Sequence, residues 1–186
     1  LEPQRATYWN LLGNTFNALD RREESLEPYT KAIELAGDEK TKAMYLRNRV
    51  DTYIELERLE EVEEDLEKAK GLDPENAYLF ARYGQLHLWR QEFERAIAMC
   101  QEAQERGLKE VWVQLNLALA TLCQGKPEEA KEEYRRGIEM ADGEDLEGAM
   151  EDLEKMWAKR PGMEGTEEIM EMLRQAREGL ERGSTE

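Results

Sequence analysis

Histidine occurs once, at His87, and serine twice, at Ser25 and Ser184, in a chain of 186 residues. That scarcity leaves almost no material for a nucleophile–base–acid triad. Cys100 and Cys123 are the only cysteines. Two thiols 23 residues apart and one imidazole do not make a zinc set. They also argue against a disulfide framework and for a reducing, cytoplasmic setting. No glycine-rich phosphate loop or calcium-loop pattern is present, so the expectation is no cofactor, no metal and no enzyme. No apolar run approaches the length of a membrane span, and no signal peptide is evident. Basic residues are in deficit, 26 Lys and Arg against 43 Asp and Glu, a formal charge of −17. That balance disfavours nucleic acid, whose binding needs phosphate neutralisation, and an anionic membrane surface. The first residue is Leu1, which reads as a piece of something longer.

What the chain does have is 40% hydrophobic residues beside 37% charged ones. That mixture fits thin helical layers, each burying one stripe and leaving the rest wet. A period organises it. Gly13, Val50, Gly84 and Ala118 align at steps of 37, 34 and 34. The same steps relate Ser25, Val62, Ala96 and Ala130, then Ala32, Ala69, Ala103 and Gly137. A column of larger residues, Tyr29, Leu66, Cys100 and Tyr134, keeps the same register. Small residues let two helices approach, and large ones fill the space between pairs. Turn signals fall at matching places: Asp20-Arg21-Arg22, Glu57-Arg58-Leu59, Arg90-Gln91-Glu92 and Gly125-Lys126-Pro127. Asp73 reads as an N-cap with Pro74 at the first helical position.

These columns resemble the tetratricopeptide repeat (TPR), whose units of about 34 residues are helix–turn–helix pairs. Trp9, Leu12, Gly13 and Phe16, then Ser25, Tyr29 and Ala32, carry the likeness in unit one, with Trp9 expected in the core. Phe80, Tyr83, Gly84, His87, Ala96, Cys100 and Ala103 carry it in unit three. Unit two departs at Arg49 and Val50, where Leu and Gly are usual, and unit four at Gln114 and Ala118. The implied fold is all-α, a solenoid of antiparallel helix pairs wound as a right-handed superhelix. Four units are expected at about 6–39, 43–76, 77–110 and 111–144, together spanning residues 1–144. Pro28 predicts a bend or a late start in the second helix of unit one. Over 145–186, a helix capped by Asp145 and carrying Leu146, Met150, Leu153 and Trp157, and another from Thr166, read as a capping pair with the last few residues disordered.

The resemblance implies that the first helices line a concave groove receiving a peptide or partner helix. Register places Asn10, Asn14, Arg47, Asn48 and Asp51 there, then Tyr78, Arg82, Gln85 and Trp89, then Trp112, Leu115, Asn116 and Leu119. Asparagine can pair with an extended backbone through both donor and acceptor. Relatives that clamp a chaperone's C-terminal carboxylate use two lysines where this chain has Asn10 and Tyr78, so that full clamp is not expected here. The later groove reads as apolar, open to an amphipathic helix or filled by the chain's own tail. The expected function is a protein-binding module with a protein or peptide partner. The alternatives are a scaffold self-associating through its C-terminal helices, or the regulatory arm of a larger signalling enzyme.

Overall fold

The structure, a computed structural model, describes residues 3–183. Ten α-helices follow one another: α1 (Pro3–Ala18), α2 (Arg22–Leu35), α3 (Glu39–Glu55), α4 (Leu59–Leu72), α5 (Ala77–Trp89), α6 (Phe93–Glu105), α7 (Val111–Cys123), α8 (Pro127–Ile138), α9 (Gly143–Lys159) and α10 (Thr166–Gly183). Among the described residues there is no strand. The architecture is all-α, of the helix-pair solenoid class. Two compact units divide the chain, one up to Leu86 and the other from His87 onward.

The sequence period reappears as backbone geometry. Asp20, Glu57, Gln91 and Gly125 adopt left-handed φ values of 59°, 55°, 62° and 82°. In each case the next residue's N–H bonds back five positions, Arg21 to Phe16, Arg58 to Tyr53, Glu92 to His87 and Lys126 to Thr121, at 2.8–3.3 Å. This closure satisfies carbonyls that the helix end would otherwise leave unpaired. Glycine occupies the strained position once; elsewhere an acid or amide side chain tolerates it at a cost of about 1 kcal/mol. All four aligned columns are buried.

The three residues that lengthen the first step extend a helix instead of a loop. α3 has 17 residues, whereas α5 and α7 have 13 each. Asp38 caps the extra turn by accepting from Thr41 N at 2.9 Å. α5 starts later than the Asp73-Pro74 signal suggests. Asp73 ends α4, Pro74 and Glu75 form a turn, and the Asn76 side chain accepts from Tyr78 N at 3.1 Å. The late start expected from Pro28 does not occur, since α2 runs from Arg22 to Leu35. The bond proline forfeits is to the carbonyl of Glu24, in the exposed first turn, where water can satisfy it.

In the first unit α2 packs on both α1 and α3. A Cβ at Gly13 would lie 2.6 Å from the Tyr29 ring, so glycine is what admits this tyrosine against α1. Arg49, the departure in unit two, holds Asp65 with two bonds of 2.7 and 2.8 Å and donates to Thr30 Oγ1 at 2.7 Å. A leucine's packing role has passed to a buried ion pair joining α2, α3 and α4.

In the second unit α7 is buried along every residue from Val113 to Cys123. α6 and α8 cover it, and α9 lies against it as well. Leu146, Ala149, Leu153 and Met156 of α9 join Leu115, Ala118 and Leu119 in one apolar cluster. α9 begins at Gly143, not after Asp145. Asp142 is the cap, accepting from Glu144 N and Asp145 N at 2.9 and 3.0 Å, while Asp145 returns the bond to Asp142 N. The expected boundary at 145 therefore falls inside this helix. The regular step places α2 on α3 and α6 on α7, whereas here α10 rests on α8 and α9 on α7. A Lys131–Glu168 ion pair ties α8 to α10. The expectation of disorder in the last few residues lies outside the described residues.

Candidate functional site

Helical spacing puts Tyr78, Arg82 and Gln85 on one face of α5, and Met44, Arg47, Asn48 and Asp51 on one face of α3. Eight of the register-predicted residues up to Leu86 lie on these helices and α1. The structure gathers them into separate small groups. Asn48 donates to Asn10 Oδ1 at 2.9 Å, tying α3 to α1. Asn14 is exposed and accepts from the Tyr29 hydroxyl at 2.8 Å. Arg82 pairs with Asp51 at 2.8 Å, donates to Gln85 at 2.9 Å and reaches the Tyr78 hydroxyl at 3.0 Å. The guanidiniums of Arg47 and Arg82 both lie over the Tyr78 ring, at 5.2 and 5.0 Å.

Burial pushes the Asp51 carboxyl up, and Arg82 and Arg47 pull it back down. Glu55, one turn on along α3, adds to the rise. No group here is paired as a base with a nucleophile.

Two surface residues were missed. Leu11 and Met44 are 57% and 38% exposed. The signal was present: Leu11 stands two before Gly13 as Asn48 stands two before Val50, and Met44 stands in the register of Tyr78 and Trp112.

The remaining predicted positions belong to the second unit. Trp112 is half-buried. Asn116 is only 5% exposed, and its Nδ2 is buried without a hydrogen-bond partner among the described residues. Leu115 and Leu119 are buried in the apolar cluster that α9 also enters, with Leu115 against Gly137 of α8. Trp89 is half-buried with Lys159 Nζ 5.2 Å over its ring. Trp9, expected in the core, is half-buried and lines an open pocket.

His87 meets Glu92 at 2.8 Å. Burial pushes both Cys100 and Cys123 up to about 12, which disfavours the reactive thiolate. Among the described residues no group of three or more His, Cys, Asp or Glu could hold a metal, and no helix is long and apolar enough to cross a membrane.

The tetratricopeptide repeat family model matches residues 6–39 and 48–76. No curated protein matches. PilW, a widely conserved type IV pilus biogenesis factor, aligns over 95% of this chain and 78% of its own, with a TM-score of 0.72 at 14% identity. A chain of the APC/C hetero-tetramer Cut9-Hcn1 aligns over 92% of this one at a TM-score of 0.69 and 14% identity, and this chain spans 36% of it. YrrB, a TPR protein with an unusual peptide-binding site, aligns over 91% of this chain and 84% of its own, with a TM-score of 0.57 and 19% identity. Residues 6–39 and 48–76 are thus similar to tetratricopeptide repeats, and the chain shares the all-α helix-pair fold of these solved structures.

Proposed function

We propose that this chain is a non-enzymatic protein-interaction module whose α1–α3–α5 face receives an extended peptide of a partner protein. The carrying observation is the Asn10–Asn48 pair and the separate Arg47, Tyr78, Arg82 and Asp51 cluster, with Leu11, Asn14 and Met44 exposed on the same helices. Internal pairing holds the polar groups in place before a ligand arrives, which lowers the ordering cost of binding. Leu11 and Met44 supply apolar contact, and the amides supply backbone pairing. The unusual peptide-binding site of YrrB supports the same reading by analogy of fold.

A peptide array probed with the purified chain would select ligands, and calorimetry would rank them. The Asn48→Ala, Arg82→Ala double variant should weaken a selected peptide at least tenfold. Unchanged affinity would remove this face from the account.

A further inference from the structure

Three arginines of the first unit turn inward on α3 and α5, and two of them are fully accounted for. Arg49 holds Asp65 by two bonds and donates a third to Thr30. Arg82 meets Asp51 at 2.8 Å and donates to Gln85 and Tyr78. Arg47 differs. Among the described residues it has no carboxylate within 4.0 Å. Its Nη1 makes one long bond, 3.4 Å to Asn76 Oδ1, and its Nε is buried with no hydrogen-bond partner.

Acids are not scarce in a chain with 43 of them against 26 bases. Those that follow Arg47 on the same face of α3 are committed elsewhere. Asp51 feels Arg47 through space, yet its contact is with Arg82, and Glu55 pairs with Arg22 at 2.5 Å. Register sharpens the contrast. Arg47 stands in the column of Asn10, Ala81 and Leu115, which are uncharged and 7%, 0% and 8% exposed. The repeat itself therefore asks for a buried, uncharged residue at this position. A half-buried guanidinium without a counter-ion gives up hydration that the fold does not return. The Tyr78 ring, 5.2 Å away, holds the cation in place but brings no net charge.

We propose that Arg47 sets the specificity of the α1–α3–α5 face by pairing with a glutamate or aspartate side chain of the bound peptide, an inference that rests on the peptide-binding role proposed above. A carboxylate accepts charge-assisted bonds from a guanidinium that are about twice as strong as neutral ones. The net charge of −17 does not forbid this contact, because salt screens exposed charges beyond about 8 Å and a partly buried pair in contact much less.

The test passes randomised short peptides over the immobilised full chain in three sets, with glutamate, glutamine or lysine fixed at the centre. The glutamate set should be retained about threefold more than the glutamine set, and the lysine set least. Arg47→Gln should erase that preference without loss of helical circular dichroism, and Arg47→Glu should turn it toward lysine. Equal retention of the three sets, with the Asn48→Ala, Arg82→Ala variant retaining less of each, would overturn this proposal and leave the peptide-binding face standing. No retention of any set would overturn both. A second measurement needs no ligand. Arg47→Met should raise the urea midpoint by removing an uncompensated charge, whereas Arg49→Met should lower it. A lowered midpoint for Arg47→Met would mean that the fold already supplies its counter-charge, and would overturn the proposal as well.

Discussion

α1 and α7 carry the two long uncharged stretches of this protein, residues 6–19 and 111–125, and they live in opposite circumstances. α7 is enclosed by α6, α8 and α9, so its apolar side chains are core. α1 meets α2 and, more slightly, α3, and leaves large side chains in water. Composition told how much surface each helix could bury; only the neighbours decided how much it does bury. The equivalent position in α3 adds a third case, where a cation stands in for the apolar residue and finds a buried carboxylate.

The largest effect should come from breaking that third case. Asp65→Ala strands the Arg49 guanidinium beside α2 and α4 and should cost about 3–5 kcal/mol in urea unfolding. Replacing Arg49 and Asp65 together by leucine should recover most of that loss, because a packed apolar pair serves as well as a buried ion pair.

Leu117 and Leu12 occupy one register, so truncating each measures what cover is worth. Leu117→Ala should cost about 2–5 kcal/mol, as for a filled core site. Leu12→Ala should cost about 1 kcal/mol, since its side chain is already partly wet. Equal costs would erase the distinction between the two helices.

Asp152 tests the cover itself, because it sits on α9. Burial lifts its carboxyl to about 6, with Lys155 opposing the rise and Glu151 adding to it. A folded value above the unfolded one means the native state holds the proton more tightly. This stabilisation is complete below about pH 4 and is lost as the pH climbs through about 6. Asp152→Asn should therefore match wild type at pH 4 and exceed it by about 1–2 kcal/mol at pH 7. A constant offset at all pH values would contradict the assignment.

The smallest effect concerns the turns. Gln91→Gly and Glu57→Gly place glycine where Gly125 already serves, and each should raise stability by about 0.5–1 kcal/mol in thermal melts. A loss would mean that the side chain supports the turn in some further way.

Much of this fold could be read from residues, because sterics act locally. Small columns must be buried wherever two helices approach, and Gly13, Ser25, Ala96 and Ala130 are. Turn positions were legible for the same reason, although a left-handed Glu57 carries no compositional mark. Helix starts were less legible. Asp145 and Asp73 both resemble caps, yet Asp142 and Asn76 bond the first-turn amides instead. The candidate face was legible in its polar members and not in Leu11 or Met44, since exposure of an apolar residue depends on a neighbour's absence. The pairing of Arg82 with Asp51, and the closing of Asn116, needed distances between helices that no single stretch of sequence contains.

Both cysteines fall after Leu86, each buried and each with a thiol held far from ionisation. The first unit has none. A maleimide reagent is therefore blind to any loosening of the first unit and can react only when the second one opens. Trapping rates would follow the breathing of one half of the molecule in the presence of the other, with no label or substitution added.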